Sequence, residues 1–563
     1  MSSEDQMNIE AAPPVPNETD NNNSKPLPSE EIQPTAEVPN KDDPSADELK
    51  DVPLDQLFDD EMDVDVDVDV DDAGPLNAEE YRLLAQFDDP WADLKDPHVM
   101  MNFYRRIFPW KQLFLWLNHD HVPNYLFTHR EFAITLQNDA YLRYNSYSSY
   151  IELQKDIIRL NPTRFEIGPT YSAAPKDRKT IPKASFKPIL RELVFDIDLT
   201  DYDDIRRCCS DKKICTQCWK FVALAVEVLD LTLRHDFGYQ HLLWVYSGRR
   251  GAHCWVSDEE AMRLTDDQRK AIVNYINIFK AGGSKFGLKV DLKNPLHPMV
   301  ERSLEKLQVH FLNVVLQGQE VFMDEEKWTF LLRIWSDTNL VQAFEEEWKK
   351  NPEISSESKW KAILQHYKPE NNKTSNNIPS KKMNGILETI NNVILHYSYP
   401  RIDLEVSKHL NHLLKSPFCV HPATGKVCIP IDPTTIASFD PNSAPDVRDL
   451  LRQLDKQQSS SNPLSTAAAT AATTAVSAAV TTAAAAASAA SAAATTTTSA
   501  SATTATTTTA TTTATDTNAT APQLNWANTS LRPYVEFFQR HVDKLLKDTL
   551  QSKKNVQSDS LEF

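Results

Sequence analysis

The chain has 563 residues, 41% of them apolar, with 59 Lys and Arg against 79 Asp and Glu for a net charge of -20. That length allows roughly three to four domains at about 150 residues each, fewer where composition forbids a core. Glu4, Asp5 and Glu10 stand where a secretory leader needs a basic start and an apolar run, which speaks against ordinary secretion. Seven cysteines, four of them packed into eleven residues, do not read as a disulfide scaffold and point to the cell interior.

The charge is local. Residues 1–80 hold 25 acidic and 3 basic residues, and "EMDVDVDVDVDD" within them alternates acid with Val. Such a stretch offers too little apolar surface to offset chain entropy and reads as an acidic disordered tail. The remaining 483 residues carry 54 acidic and 56 basic residues. A near-neutral body still binds nucleic acid if its Lys and Arg gather on one face, so charge leaves that class open.

From 81 to 456 the chain is rich in Trp, Tyr, Phe and Leu and forms the core unit. In chain order, 103–117 predicts a helix broken at a Pro, 191–199 a strand, 218–237 a helix, and 241–257 a hairpin turning at "SGRRG". A mainly helical insertion spans about 300–397, after which "RIDLEV" (401–406) returns to period two and predicts another strand. This order predicts an α+β fold with a mixed sheet completed late in the sequence. Residues 457–523 are almost wholly Ala, Thr and Ser and read as a low-complexity linker, with no membrane span in "AAAAASAASAAA". Within the last segment, 524–563, Val535, Phe538, Val542, Leu545 and Leu546 recur at helical spacing.

"ELVFDIDLTDYDD" (192–204) is the first chemical signal. On a strand, Asp196 and Asp198 share one face while Phe195, Ile197 and Leu199 take the other. Two such carboxylates repel unless a cation lies between them. For a lone Asp-x-Asp a solvated edge-strand face is the more common explanation. The apolar back face and the acidic turn that follows favour a Mg²⁺ site. In the predicted strand 401–406, Asp403 shares a face with Arg401 and Glu405, giving three carboxylates from two strands, as a two-metal phosphoryl-transfer site requires.

Four of the seven cysteines fall within eleven residues: Cys208, Cys209, Cys215 and Cys218. The C-x2-C pair offers the thiolate bite of tetrahedral Zn²⁺, and four thiolates fill its coordination sphere, so the expected zinc is structural. "SGRRGAHCW" brings Ser247, Arg249, Arg250 and His253 around a flexible turn, and "NHLLKSPFCVHPATGKV" adds Lys415 and His421. A hydroxyl, two guanidinium forks, an ammonium and two imidazoles suit a triphosphate, although a basic turn alone is often only solvated. Neither G-x-x-x-x-G-K-[ST] nor G-x-G-x-x-G occurs, so a P-loop NTPase and a Rossmann dehydrogenase are unsupported.

"ELVFDIDLTDYDDIRRCC", "CTQCW", "WVYSGRRGAHCWV" and "YPRIDLEVSKHLNHLLKSPFCVHP" resemble the small, catalytic subunit of eukaryotic DNA primase, of the archaeo-eukaryotic primase superfamily. The resemblance runs from about 81 to 455 and reappears in "SLRPYVEFF". It implies that Asp196, Asp198 and Asp403 bind two catalytic Mg²⁺ or Mn²⁺ ions, that the four cysteines bind structural Zn²⁺, and that Ser247, Arg249, Arg250, His253, Lys415 and His421 hold phosphates. "REFAITLQNDAYLRYNSY" and "RFEIG" bring in Glu131, Tyr141, Arg143, Arg164 and Glu166 as further site residues. Glu166 stands where the family commonly has Asp. The acidic tail and the Ala/Thr/Ser tract depart from the family.

The resemblance implies RNA primer synthesis from ribonucleoside triphosphates on a single-stranded DNA template, with no pre-existing 3′ end. It implies as partners the large primase subunit and DNA polymerase alpha, in the nucleus, with no membrane. Two rivals remain: a repair-type primase-polymerase preferring deoxynucleotides, and a non-enzymatic zinc module that binds nucleic acid.

Overall fold

The computed structural model describes residues 89–280, 287–335, 337–367, 380–461 and 525–559. The acidic tail and the tract from 462 to 524 lie outside the described residues. Residues 457–461, assigned by composition to the linker, instead continue the helix Val447–Ser461.

Two sheets carry the molecule. The first contains β1 (Arg130–Thr135), β2 (Tyr141–Asn145), β3 (Arg164–Tyr171) and β4 (Pro188–Leu190) in the order β2-β1-β3-β4. The second contains β5 (Leu193–Asp198), β6 (Leu242–Tyr246) and β7 (Gly251–Val256), in the order β5-β7-β6. Both are completed late, by two-residue strands: β8 (Leu414–Lys415) joins β3, and β9 (Pro430–Ile431) joins β6. The fold is α+β as expected. Every strand pair among the described residues is antiparallel, so the sheets are not mixed in direction.

The predicted helices form for ordinary reasons. The helix at 103–117 is split at Pro109 into Pro97–Arg106 and Trp110–Asn118, because Pro109 lacks the amide a continuous helix needs. Thr216–His235 covers the second sheet, with Val222, Ala225, Val226, Leu229 and Leu233 fully buried. Among its described residues the insertion is mainly helical, from Pro298–Phe311, which runs into a π-turn at Leu312–Leu316, to Ser380–Ser398. The last helix, Arg532–Asp559, buries Val535, Phe538, Val542, Leu545 and Leu546. Among the described residues no helix is long and apolar enough to cross a membrane.

The predicted strand at 401–406 is absent. Asp403 caps a short helix, Leu404–Lys408, by accepting the Glu405 N–H at 2.9 Å. Arg401 does not share an open face with Asp403 and Glu405. It is buried, its guanidinium lying 5.6 Å from the ring centroids of both Tyr202 and Phe279 and bonded to the Asp201 carbonyl at 2.8 Å. The segment still serves the second sheet by covering its open edge. Asp403 N–H donates to the Asp196 carbonyl at 3.0 Å, and Ser407 Oγ donates to the Val194 carbonyl at 2.6 Å. An edge strand needs such partners for its unpaired carbonyls.

Candidate active site

Strand β5 supplies the first two acids as its alternation predicts. Phe195, Ile197 and Leu199 are fully buried, whereas the side chains of Asp196 and Asp198 keep 25% and 37% of their exposure. Register sets Asp196 opposite His253 and Asp198 opposite Gly251. A Cβ at Gly251 would lie 1.9 Å from the Ile197 carbonyl oxygen, so only glycine lets β7 start this close to β5.

Asp403 reaches the same cleft from the helix beside that edge. Asp196, Asp198, Asp201, Asp403, Lys280, Lys289 and Arg401 are among the residues lining an open cleft of about 700 Å³. The acids feel one another. Burial, then the charges of Asp198 and Asp403, push the Asp196 carboxyl up to about 7. Burial also raises Asp198, but hydrogen bonds from Arg250 Nε (2.8 Å) and from Thr200 N and Oγ1 (2.8 Å each) win and hold it below the usual range. Asp201 is raised by burial and by the charges of Asp198 and Asp403. Spacing along the chain marks it only as an acidic residue of the turn after β5.

The basic set stands beside the acids. Lys415 Nζ donates to the Ser247 carbonyl at 2.5 Å, and its charge opposes the rise of Asp196. His253 Nε2 lies 3.6 Å from Asp196 Oδ1, but burial first, then Lys415, lower its pKa to about 3, so the imidazole is neutral. His421 is likewise lowered to about 3, by burial and then by Lys415, Arg249, Arg164 and Arg250. Four cations around one imidazole mark a place prepared for anions. Ser247 shapes the turn: its Oγ accepts the Gly251 N–H at 3.0 Å.

The first sheet contributes the remaining candidates. Register puts Lys415 opposite Glu166. Glu166 accepts the Tyr141 hydroxyl at 2.6 Å and lies 3.4 Å from Arg164. Glu131 is fully buried and holds Arg143 through a two-point fork at 2.9 and 3.1 Å, with Tyr144 N–H and Tyr171 OH as further donors. Its place orients Arg143. Arg178 stacks on the Tyr144 ring beside it, 4.0 Å from the centroid.

The four cysteines also come together, their sulfurs all within 4.8 Å of one another. Cys215 and Cys218 are 3.9 Å apart, close to the sulfur–sulfur edge of about 3.8 Å in a tetrahedron with about 2.3 Å Zn–S bonds. A hydrogen bond from Cys208, with the Cys215 amide, lowers Cys218 to about 5, while burial and the neighbouring thiols raise Cys209 to about 11. Four thiolates at this spacing need a cation, and a soft ion such as zinc fits the donor set. Arg206 ties the knuckle to the acidic turn, bonding the Lys213 and Asp211 carbonyls at 3.0 Å and Asp203 at 2.5 Å. Cys215→Ser is expected to lower zinc content and melting temperature together. Metal analysis with a thermal melt checks this, and full stability with one zinc retained would contradict the four-thiolate site.

A family model described as DNA primase small subunit matches residues 195–433, the span from β5 to β9 that holds the acids, the cysteines and the basic loops. The chain is 48% identical over 369 residues to a DNA primase small subunit of Schizosaccharomyces pombe, covering 65% of this chain and 80% of that one. The chain belongs to the DNA primase small subunit family. The like-named Saccharomyces cerevisiae protein is 41% identical over 64% of this chain and 87% of its own length. The Drosophila melanogaster one is 38% identical over 64% and 83%. Glu131, Tyr141, Arg143, Arg164 and Glu166 precede the matched range.

Proposed function

We propose that this protein is the polymerising subunit of a DNA primase, joining ribonucleoside triphosphates into short RNA primers on single-stranded DNA. One observation carries the reading. Asp196, Asp198 and Asp403, from two separate segments, couple electrostatically in one cleft, and the charge of Lys415 reaches Asp196 there. Hard carboxylate oxygens suit Mg²⁺ or Mn²⁺, and a cation would offset both the burial and the neighbouring charges of Asp198 and Asp403 that raise Asp196. These three residues would hold two such ions, which lower the pKa of an attacking 3′-hydroxyl and neutralise charge on the departing pyrophosphate.

The chain's own cations do the rest. Lys415 uses one ammonium proton on Ser247 and keeps two for phosphate oxygens. Arg250 binds Asp198 through Nε, leaving its other donors for the nucleotide while it holds that acid ionised. His421, neutral among cations, donates one N–H. Arg143, fixed by Glu131, offers a second guanidinium on the first sheet. The zinc knuckle, tied to the acidic turn through Arg206, braces the turn that follows β5. The family likeness supports a large primase subunit as partner, and we place the pair with DNA polymerase alpha in the nucleus.

The test is primer synthesis by the full chain on single-stranded DNA, with ribo- or deoxynucleotides, with and without Mg²⁺ or Mn²⁺ and a large subunit. Absence of polymer under every condition, or metal-independent nucleotide binding, would overturn the reading. Arg250→Ala or His421→Ala is expected to raise KM for nucleotide by about tenfold or more, with a smaller fall in kcat. Arg250→Ala has the larger effect because it also frees Asp198. Steady-state kinetics check this, and unchanged nucleotide affinity would remove both residues from the site.

A further inference from the structure

A turn in the loop carrying Lys415 and His421 holds a residue that its backbone disfavours. Ser416 to Cys419 closes through a hydrogen bond from the Cys419 N–H to the Ser416 carbonyl at 3.2 Å, with Pro417 second and Phe418 third at φ 64°. Proline second and a positive φ third are the signature of a type II turn, whose third position ordinarily takes Gly or Asn. A bulky residue there is an outlier and persists only where its surroundings over-determine it.

The surroundings do so here. Phe418 is fully buried, and its N–H donates to the Cys428 carbonyl at 2.7 Å. Its ring meets that of Phe538 edge to face, centroids 5.3 Å apart. Phe538, also fully buried, belongs to the helix Arg532–Asp559 and packs edge-on against Trp116 at 5.8 Å. That helix returns to the core only after residues 462–524, yet it touches the loop three residues from Lys415 and three from His421.

From Phe418 the loop is stitched to the basic hairpin. Lys415 Nζ and Cys428 Sγ both donate to the Ser247 carbonyl, at 2.5 and 3.3 Å. Thr424 Oγ1 donates to the Gly248 carbonyl at 2.7 Å. Gly248 has φ 86°, and a Cβ there would stand 2.7 Å from the Cβ of His421. A shift of Phe418 therefore displaces Lys415, His421 and the Ser247–Gly251 turn together.

We propose that Phe418 and Phe538 form a brace through which the C-terminal helix sets the position of the Lys415–His421 loop and thereby tunes affinity for the nucleotide triphosphate. Both are positioning residues and touch no reacting atom. The strained turn is kept because only a large side chain at that place reaches the helix. This rests on the nucleotide-polymerising reading above.

The experiment measures ATP–Mg²⁺ binding by calorimetry, and KM and kcat for primer synthesis, in the full chain. Phe418→Gly suits the turn's backbone but deletes the contact, and Phe538→Leu keeps an apolar filler while losing the edge-to-face ring. Phe418→Gly is expected to weaken ATP binding and raise KM about five- to tenfold with kcat changed less, since small misplacements of binding groups are costly. Adding Phe538→Leu to it should change nothing further, because the two act through one contact. Zinc content stays at the wild-type level. Wild-type binding that is unaltered in Phe418→Gly, or effects of the two substitutions that simply multiply, would overturn the brace. A wild-type chain that neither binds ATP–Mg²⁺ nor makes primer would instead overturn the polymerising reading, and the brace with it.

Discussion

Asp403→Asn is expected to lower primer synthesis by at least about a hundredfold while leaving the fold intact, the scale of losing one major electrostatic contribution to a transition state. The structure explains why folding survives. Asp403 caps the helix Leu404–Lys408 by accepting the Glu405 N–H, and Asn caps a helix about as well as Asp. The backbone bond from Asp403 N–H to the Asp196 carbonyl involves no side chain and persists. The substitution therefore removes one negative charge and little else. An exposed Asp without a role tolerates such a change within about 0.5 kcal/mol. The checks are melting temperature without added divalent ions and primer synthesis at saturating Mg²⁺ or Mn²⁺. Near-normal synthesis would place Asp403 outside the site.

The second large effect is a pH dependence of stability. Asp196 has its folded pKa raised from 3.8 to about 7, by burial first and then by Asp198 and Asp403. A raised carboxyl contributes stability that is complete below its unfolded pKa and is lost as pH rises through the folded value. Without divalent ions, the wild-type chain should thus lose stability between about pH 4 and pH 7 relative to Asp196→Asn, which has no proton to lose there. Three pKa units at about 1.36 kcal/mol each set the upper scale, and partial exposure reduces it to about 2–4 kcal/mol. At pH 8 Asp196→Asn is therefore expected to be the more stable protein. Added Mg²⁺ should raise the wild-type melting temperature at pH 8 and leave that of the variant nearly unchanged. Denaturation midpoints across pH 4–8, with and without Mg²⁺, decide it. Parallel wild-type and variant curves would show that the Asp196 carboxyl is not raised in the folded chain.

Much of the chemistry was readable because it is local. The strand β5 follows from alternation alone: Phe195 and Ile197 must be buried, which turns Asp196 and Asp198 to the other face. The hairpin β6–β7 follows from two apolar runs around "SGRRG", and a thiol cluster that could hold a metal ion from the crowding of four cysteines. Segment 401–406 misled because five or six residues fit period two and a capped helical turn equally well. The decision came from the open edge of β5, whose carbonyls needed the Asp403 N–H and the Ser407 hydroxyl. Strands β8 and β9, two residues each, are too short to show any period. They form because β3 and β6 present unpaired edges.

The sequence by itself determined which groups are present and which of them are neighbours along the chain: carboxylates two apart on a strand, four clustered thiols, guanidinium forks in a turn. These depend on spacing along the backbone, which covalent geometry sets. Only the tertiary structure decided which distant groups share a field. It placed Asp403 beside Asp196, gave Asp198 to Arg250, set Glu131 to orienting Arg143, and brought Phe538 onto a turn more than a hundred residues earlier. The physical reason is that pKa values, ion pairs and strained turns depend on burial and on charges within a few ångströms, and both arise only when separate segments pack.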